Sequence, residues 1–405
     1  MSVSKETIKE FTERAEVFFK ANASLREVGT AGWGVGSDDV SLFPESTLEQ
    51  DLANLAEARA WANCIFDAGF GWITGPIELG GRGLTRDHDI AFRKLESRYE
   101  TPSRSVYGIG LGMVAPTMLD HGTPAVTAYL RSMWRGDMVG CQLFSEPGAG
   151  SDLASVQTRA VRDGDEWIIN GQKVWTSNAH LADIGEILCR TDPDLPKHKG
   201  LTAFMVDMHA PGVEVRPLNQ ATGGAAFNEV FFTDVRIPDD HRLGEVNGGW
   251  GVALTTLMNE RASIGGGSGG VSTINLSRLI EMARRYGKAN DPLVRQQLAA
   301  IVIGTRVASY TNMRSMARVA TGGVPGPEMS LGKMALTNNL LAVSDLVSSI
   351  LGPRLVADTG AWGTYAWCTY IMGVAGMRIA GGSDEVLRNI ISERVLGLPK
   401  DPAPR

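Results

Sequence analysis

The hydrophobic period of this chain changes twice, and that restricts its fold more than any single residue does. Up to about residue 137 apolar residues recur at helical spacing; from about 138 to 245 they alternate or form short β-branched runs; from about 246 the helical spacing returns. Strands gathered between two helical blocks predict an α+β chain rather than an alternating parallel sheet. The expected domains are a helical one over 1–137, a β domain over 138–245 and a second helical one over 246–405.

In the first block Ile8, Phe11 and Phe18 predict one face of a helix. Ser46 and Glu49 read as a capping box ahead of Leu48, Leu52, Leu55, Ala62 and Ile65, with Gly69 as the stop. In the middle block Asp163-Gly164 and Asn170-Gly171 read as hairpin turns beside the alternating Val156, Thr158, Ala160 and Trp167, Ile169. "LTAFMVDM", "GVEVRPL" and "NEVFFTDVRIP" continue the strand pattern. The last block predicts helices over Pro292 to Arg318, Ser330 to Leu351 and Asp384 to Leu396. Gly265 to Gly270 reads either as a linker or as a helix packed too tightly for side chains.

A length of 405 residues allows two or three domains around a large core. Lys+Arg 39 against Asp+Glu 45 leaves a net charge of −6, which argues against nucleic acid or an anionic membrane as partner. Cys64, Cys141, Cys189 and Cys368 are scattered without a CxxC pair or a histidine cluster, so neither a disulfide framework nor a metal site is expected. The first residues mix charge into their apolar pattern, unlike a secretory signal, and no apolar run approaches the ~18 residues of a membrane span. A cytoplasmic location is the resulting expectation.

"GLGMVA", Gly110 to Ala115, fits a dinucleotide fingerprint but lacks the acidic partner about 20 residues on; small residues at a helix contact explain it better. "FSEPGAGSDL", Phe144 to Leu153, is more informative. Gly148 and Gly150 bracket an alanine, an arrangement that opens backbone N–H groups toward a diphosphate. In "GQKVWTSN", Trp175 and Ser177 are two apart in an expected strand and so share a face, an apolar wall with a donor suited to a flat heteroaromatic ligand. Either element alone reads better as a core tryptophan beside an ordinary turn; together they favour a ligand.

These stretches, with "NERASIGGG", "ELGGRGLT", "VRIPDDHRLGEVNGGW" and the carboxyl-terminal "RIAGGSDEVLRNIISERVLGLP", occur in order over most of the chain. In this the sequence resembles the acyl-CoA dehydrogenase family of flavoproteins. The resemblance implies an amino-terminal helical domain, a β-barrel domain and a carboxyl-terminal four-helix bundle, in an oligomer that binds FAD. By motif position it implies Phe144 and Ser145 along the flavin ring, Gly150 and Ser151 at the diphosphate, Trp175 and Ser177 at the other flank, and Ser383 and Glu385 as further FAD contacts. Ser151, Arg261 and Gly382 would approach the substrate. An electron-transfer flavoprotein would take the electrons.

Dehydrogenating a saturated thioester needs a base for the α-proton, and a carboxylate whose pKa is raised by burial suits the task. Many family members place a Glu first in a Glu-Gly-Thr triplet near the carboxyl terminus; here the triplet is Gly381-Gly382-Ser383. A branch resembling isovaleryl-CoA and long-chain acyl-CoA dehydrogenases carries it instead as Glu-Arg on the first long helix of the bundle, which implies Glu260 as base and Arg261 as a neighbour of the CoA ester. Without the resemblance, a Glu-Arg pair on a helix reads as a solvated face. The family's FAD-reaching arginine is replaced by Ala283, followed by Arg284, and its interface glutamine and glycines by "SILGP", Ser349 to Pro353. These departures fit a subunit of a mixed oligomer, as in bacterial sterol side-chain dehydrogenases. A flavin oxidase or monooxygenase of the same fold is the other alternative.

Overall fold

The computed structural model describes residues 6–26, 33–43, 45–265, 275–320 and 326–400; most of the glycine run, 266–270, lies outside them. Contacts divide the chain into two units, one from Met1–Gly29, Ser46–Leu218 and Ala226–Thr256, the other from Thr30–Glu45, Asn219–Ala225 and Leu257–Arg405.

The first unit opens with helix α1 (Ile8–Asn22), whose Thr7 cap and Glu10 satisfy each other's backbone N–H groups. It buries Phe11, Ala15 and Phe19, while Ile8 is 43% exposed. The buried face is therefore turned from the expected Ile8–Phe11–Phe18 stripe, because the aromatic partners stand at Phe11 and Phe19: His88 edge-on at 5.2 Å and Tyr99 stacked at 5.0 Å. Helix α2 (Leu48–Asp67) starts one residue later than expected, on a Thr47/Gln50 box in which the Gln50 carboxamide does the work foreseen for Glu49. It ends before Gly69, whose φ of +80° suits glycine.

Helix α3 (Arg86–Glu96) packs on α1, and a two-residue pairing joins β1 (Ser24–Leu25) to β2 (Tyr99–Glu100). The Gly110–Val114 stretch is a π-helical turn leading into α4 (Ala115–His121), α5 (Pro124–Thr127) and α6 (Tyr129–Arg135). A Cβ on Gly110 would lie 3.0 Å from the backbone nitrogen of Gly140. The fingerprint-like glycine is thus a close contact between helix and strand, as the small-residue reading held.

Eight strands follow: β3 (Gly140–Leu143), β4 (Arg159–Asp163), β5 (Glu166–Ser177), β6 (Ile184–Arg190), β7 (Leu201–Asp207), β8 (Val213–Leu218), β9 (Phe227–Pro238) and β10 (Arg242–Leu243). They form one sheet in the order β10-β7-β6-β4-β5-β9-β8, with β3 parallel to β6. Its core draws Cys141 and Leu143, Ile187 and Cys189, Phe204 and Val206, Val230 and Val235 from strands at both ends of that order, so the sheet curls around it. Asp163-Gly164 makes the expected hairpin, with Gly164 at φ +64°. Asn170-Gly171 does not. It is a bulge inside β5, where Asn170 exchanges two 3.0 Å hydrogen bonds with Asp234 of β9 and a Cβ on Gly171 would meet Thr158 at 2.6 Å.

Helix α7 (Gly249–Gly265) gives its first half to this unit and its second half to the other. In the second unit α8 (Leu276–Arg285), α9 (Pro292–Ala320), α10 (Met329–Leu351) and α11 (Ala366–Ile379) share a core of Leu279, Met282, Val294, Ile301, Leu340, Val347, Tyr370 and Val374. Contrary to the expectation that no stretch approaches spanning length, the segment holding α10 is long and apolar enough to cross a membrane by length and composition. It packs against α9 and α11, with Leu340, Val343, Val347 and Ile350 among its buried residues. Helix α12 (Asp384–Ile390) follows α11 and runs into a π-helical turn at Ile391–Val395. All four cysteines are free, and the described residues hold no group of metal-ligating side chains.

Candidate active site

Strand β3 delivers the glycine-rich stretch. Phe144 is buried and Ser145 half-buried at the strand end, and the chain then reverses in a turn closed by two 3.0 Å bonds between Glu146 and Ala149. Beyond Ala149, which is buried, Gly148, Gly150 and Ser151 are exposed; a Cβ on either glycine would meet nothing within 4 Å. The N–H groups of Gly148, Gly150 and Ser151 donate to no protein group among the described residues, and the hydroxyls of Ser145 and Ser151 are likewise without a protein partner. Such a row of free donors is a ready anion site.

The turn is fixed from beneath. The Glu146 carboxylate, 8% exposed, accepts from the N–H groups of Gln157 at 2.6 Å and Thr158 at 2.8 Å and from Lys173 Nζ at 2.8 Å. Lys173, fully buried in β5, also donates to the carbonyls of Phe144 and Leu188 at 3.0 and 2.7 Å. Burial pushes the Glu146 pKa up, but Lys173 and the two N–H donors outweigh it and hold the group below its ordinary value. Burial also pulls Lys173 below its ordinary value, with Glu146 opposing. With three donors on it, the carboxylate is the better held charge. Glu146, conspicuous in the sequence, is thus a structural clasp between β3, β5 and β6.

The same strand presents Trp175 and Ser177. Lys173 and Val174 are both buried, and a bulge between Lys173 and Thr176 resets the alternation. Trp175 sits at φ +62°, a left-handed conformation rare for a bulky residue, and is 57% exposed. Thr176 faces inward, and Ser177 shares the outer face with Trp175, its hydroxyl without a protein partner among the described residues. The Val174 N–H donates to the Ser145 carbonyl at 2.9 Å, which ties this face to the glycine turn. Behind it Asp51 and Asn228 bond the two nitrogens of His180, each at 3.1 Å, and Asn228 donates to the Thr176 carbonyl. All six residues foreseen in this half lie in the first unit.

In the second unit Glu260 and Arg261 lie half-buried on α7. Burial pulls the Arg261 guanidinium below its ordinary pKa, Glu260 opposing and Arg394 assisting, and its Nε has no partner. Gly381 and Gly382 have φ of +69° and +90°. A glutamate at 381 would have to adopt a left-handed backbone, so the turn suits the glycine that stands there. Lys333, 1% exposed, donates to the carbonyls of Arg378 at 3.1 Å and Gly382 at 2.8 Å and reaches Asp384 at 3.5 Å, pinning the turn between α11 and α12. Ser383 caps α12, its hydroxyl accepting from the Val386 N–H at 3.3 Å, and Glu385 is exposed beside Arg388. Lys173 and Lys333 had no sequence signal, since their partners lie far along the chain.

The sequence of the curled sheet and the last helices decides the family. Family models for "Acyl-CoA dehydrogenase, middle domain" and "Acyl-CoA dehydrogenase, C-terminal domain" match residues 141–235 and 247–396. The chain belongs to the acyl-CoA dehydrogenase family. It is 39% identical over 353 residues to acyl-CoA dehydrogenase IpdE1 of Mycobacterium tuberculosis, covering 85% of this chain and 89% of that protein. The solved "Tcur3481-Tcur3483 steroid ACAD" superposes with a TM-score of 0.75 at 26% identity, covering 97% of this chain and 98% of the other. A chain of the ChsE4-ChsE5 complex from Mycobacterium tuberculosis shares the fold, with TM-score 0.70 and 24% identity over 99% and 100% of the two chains. As an acyl-CoA dehydrogenase the protein is an oxidoreductase acting on CH-CH groups, with FAD as cofactor. The free N–H groups of Gly148, Gly150 and Ser151 and the unpartnered hydroxyls of Ser145 and Ser177 fit that cofactor's diphosphate and polar ring edge.

Proposed function

We propose that this acyl-CoA dehydrogenase converts an acyl-CoA thioester to its trans-2-enoyl-CoA with Glu260 as the base that takes the α-proton. The observation that carries the choice is the Gly381-Gly382 turn: both residues are left-handed, neither has a side chain, and Glu260 is the carboxylate at the family's other base position. Arg261, with its free Nε, positions the thioester's CoA portion. Bound FAD supplies the acceptor for the β-hydrogen. Phe144, Ser145, Gly150, Ser151, Trp175, Ser177, Ser383 and Glu385 hold it, and Gly382 offers backbone to the substrate. An electron-transfer flavoprotein is the onward acceptor. Glu260→Gln tests this: the purified variant keeps its FAD and loses flavin bleaching by acyl-CoA. Bleaching at the unmodified rate refutes Glu260 as base.

A specific observation favours a heteromeric form. Ala283, at the position of the family's FAD-reaching arginine, is 1% exposed and packed in the α8–α11 core, while Arg284 beside it is exposed. A chain without that arginine is suited to pair with a homologue that supplies the missing contact, and the steroid ACAD noted above is named for two components, Tcur3481 and Tcur3483. Sterol-derived thioesters are then the favoured substrate class. Co-purification with a homologous chain from the same source, with FAD per chain measured alone and in the mixture, tests this. Full FAD occupancy and activity of the isolated chain refute it.

A further inference from the structure

The glycine-rich loop between α2 and α3, together with α6, lines a cavity of about 380 Å³ in the first unit. Its charged lining is Asp67, Arg82 and Arg131. Two of its glycines let arginines lie close over the backbone. A Cβ on Gly69 would stand 3.6 Å from Arg82 Cζ and 3.7 Å from Arg14 Nη1, and one on Gly80 would stand 3.0 Å from Arg131 Nη1. The Phe66 ring supports the Arg131 guanidinium from 5.4 Å. Arg82 and Arg131 are both exposed, so the cavity they line is within reach of solvent.

The charges around this cavity do not cancel. Arg14 commits its fork to Glu6, at 2.9 and 3.1 Å, and its Nη1 to the Ala68 carbonyl at 3.2 Å. Arg135 commits its fork to Asp67, at 3.0 and 2.8 Å, and its Nη1 to Asp137 at 2.7 Å. The nearby carboxylates are thereby matched. Among the described residues Arg82 and Arg131 have no hydrogen-bond or ion-pair partner. They act on the carboxylates only from a distance: Asp67 is held below its ordinary pKa first by the Arg135 hydrogen bond, with Arg131 adding to it, and Glu6 first by Arg14, with Arg82 adding to it. Two unmatched guanidiniums on one cavity, in a chain of net charge −6, make a local positive field that attracts an anion. A single carboxylate carries one charge and meets one fork. A phosphate monoester carries close to two charges at neutral pH and has three free oxygens, enough for both arginines.

We propose that Arg82 and Arg131 grip a phosphate monoester in this cavity, an anion site in addition to the glycine turn at Gly148 to Ser151. The cavity is larger than a phosphate group and so admits part of the molecule that bears it. A free phosphorylated metabolite is the expected source, since Arg261 is already assigned to the CoA portion of the substrate; the 3′-phosphate of CoA is the other source with the same chemistry. The site does not depend on the reaction assigned above.

The test is calorimetric titration of the FAD-loaded protein with inorganic phosphate, and with acetate for comparison, at low ionic strength. Saturable binding of phosphate is expected, at least about 10-fold tighter than acetate. Arg82→Gln and Arg131→Gln each weaken it by at least about 10-fold, because each removes a charge-assisted forked pair. Arg82→Lys and Arg131→Lys keep the charge without the fork and weaken it by at least about threefold. Arg93→Gln removes the same charge from an exposed arginine already paired with Asp89 and leaves phosphate binding within about twofold. All five side-chain changes are at exposed positions, so unchanged melting temperatures are expected. CoA and 3′-dephospho-CoA separate the sources. Phosphate that still binds when CoA is saturating identifies a free ligand, whereas a preference for CoA over 3′-dephospho-CoA that the Arg82 and Arg131 variants abolish identifies the substrate's own phosphate. Absence of saturable phosphate binding, or a loss in Arg93→Gln as large as in the cavity variants, overturns the site. Flavin bleaching by acyl-CoA reports on the reaction separately, and neither result there alters the reading of the phosphate titrations.

Discussion

Replacing Glu186 by glutamine should change how stability depends on pH, and the size of the effect follows from burial alone. In the unfolded chain the carboxyl titrates near 4.5; in the fold it titrates at about 8 because it is fully buried, with the Thr256 hydroxyl as a weaker opposing influence. Between those values the folded state holds a proton that the unfolded state has released, so this group's contribution is fully present below about pH 4.5 and is lost as pH rises toward 8. At about 1.36 kcal/mol per pKa unit, the loss for this one group between pH 5 and pH 8 is ~3 to 4 kcal/mol. Glutamine does not titrate and escapes the loss. Urea unfolding of both proteins at fixed ionic strength from pH 5 to 8.5, followed by tryptophan fluorescence, should show Glu186→Gln gaining on the unmodified protein by about that amount as pH rises. Parallel stability curves, or a variant that loses ground at high pH, would refute a protonated buried Glu186.

Three other expectations concern the scaffold. Lys173→Met strands the Glu146 carboxylate in the core and should cost ~3 to 5 kcal/mol, with Glu146→Gln on the same background recovering part of it in thermal melts. Gly381→Ala forces a side chain into a left-handed backbone and should destabilise by ~1 to 2 kcal/mol, read by melting temperature; an unchanged temperature would mean the turn is looser than its φ of +69° implies. Trp175→Gly relieves a left-handed tryptophan and should leave stability unchanged or raised by ~1 kcal/mol while weakening FAD retention, measured by flavin fluorescence on dilution.

The α, β, α order, the glycine turn and the Trp175/Ser177 face were legible because each is local: period, turn chemistry and two-residue alternation need no distant partner. Where sequence reasoning failed, a distant partner decided. Asn170-Gly171 has the composition of a hairpin, but Asp234, 64 residues on, turns it into a bulge. The buried face of α1 follows the positions of His88 and Tyr99, which periodicity cannot see. Lys173 and Lys333 carry no signal in the sequence, because their carbonyl and carboxylate partners lie far along the chain. Glu186 did carry a signal, a lone acid in the apolar run Ile184 to Cys189, which only its burial made interpretable.

The most direct test of the central claim is anaerobic stopped-flow of the FAD-loaded protein against a panel of acyl-CoA thioesters, including sterol-derived ones, with Glu260→Gln alongside and each repeated with the homologous partner chain present. The expected result is rapid bleaching of the flavin band by at least one thioester in the unmodified protein and none in the yellow, folded variant. Bleaching of Glu260→Gln at the unmodified rate, or no bleaching by any thioester with or without the partner, would contradict the account.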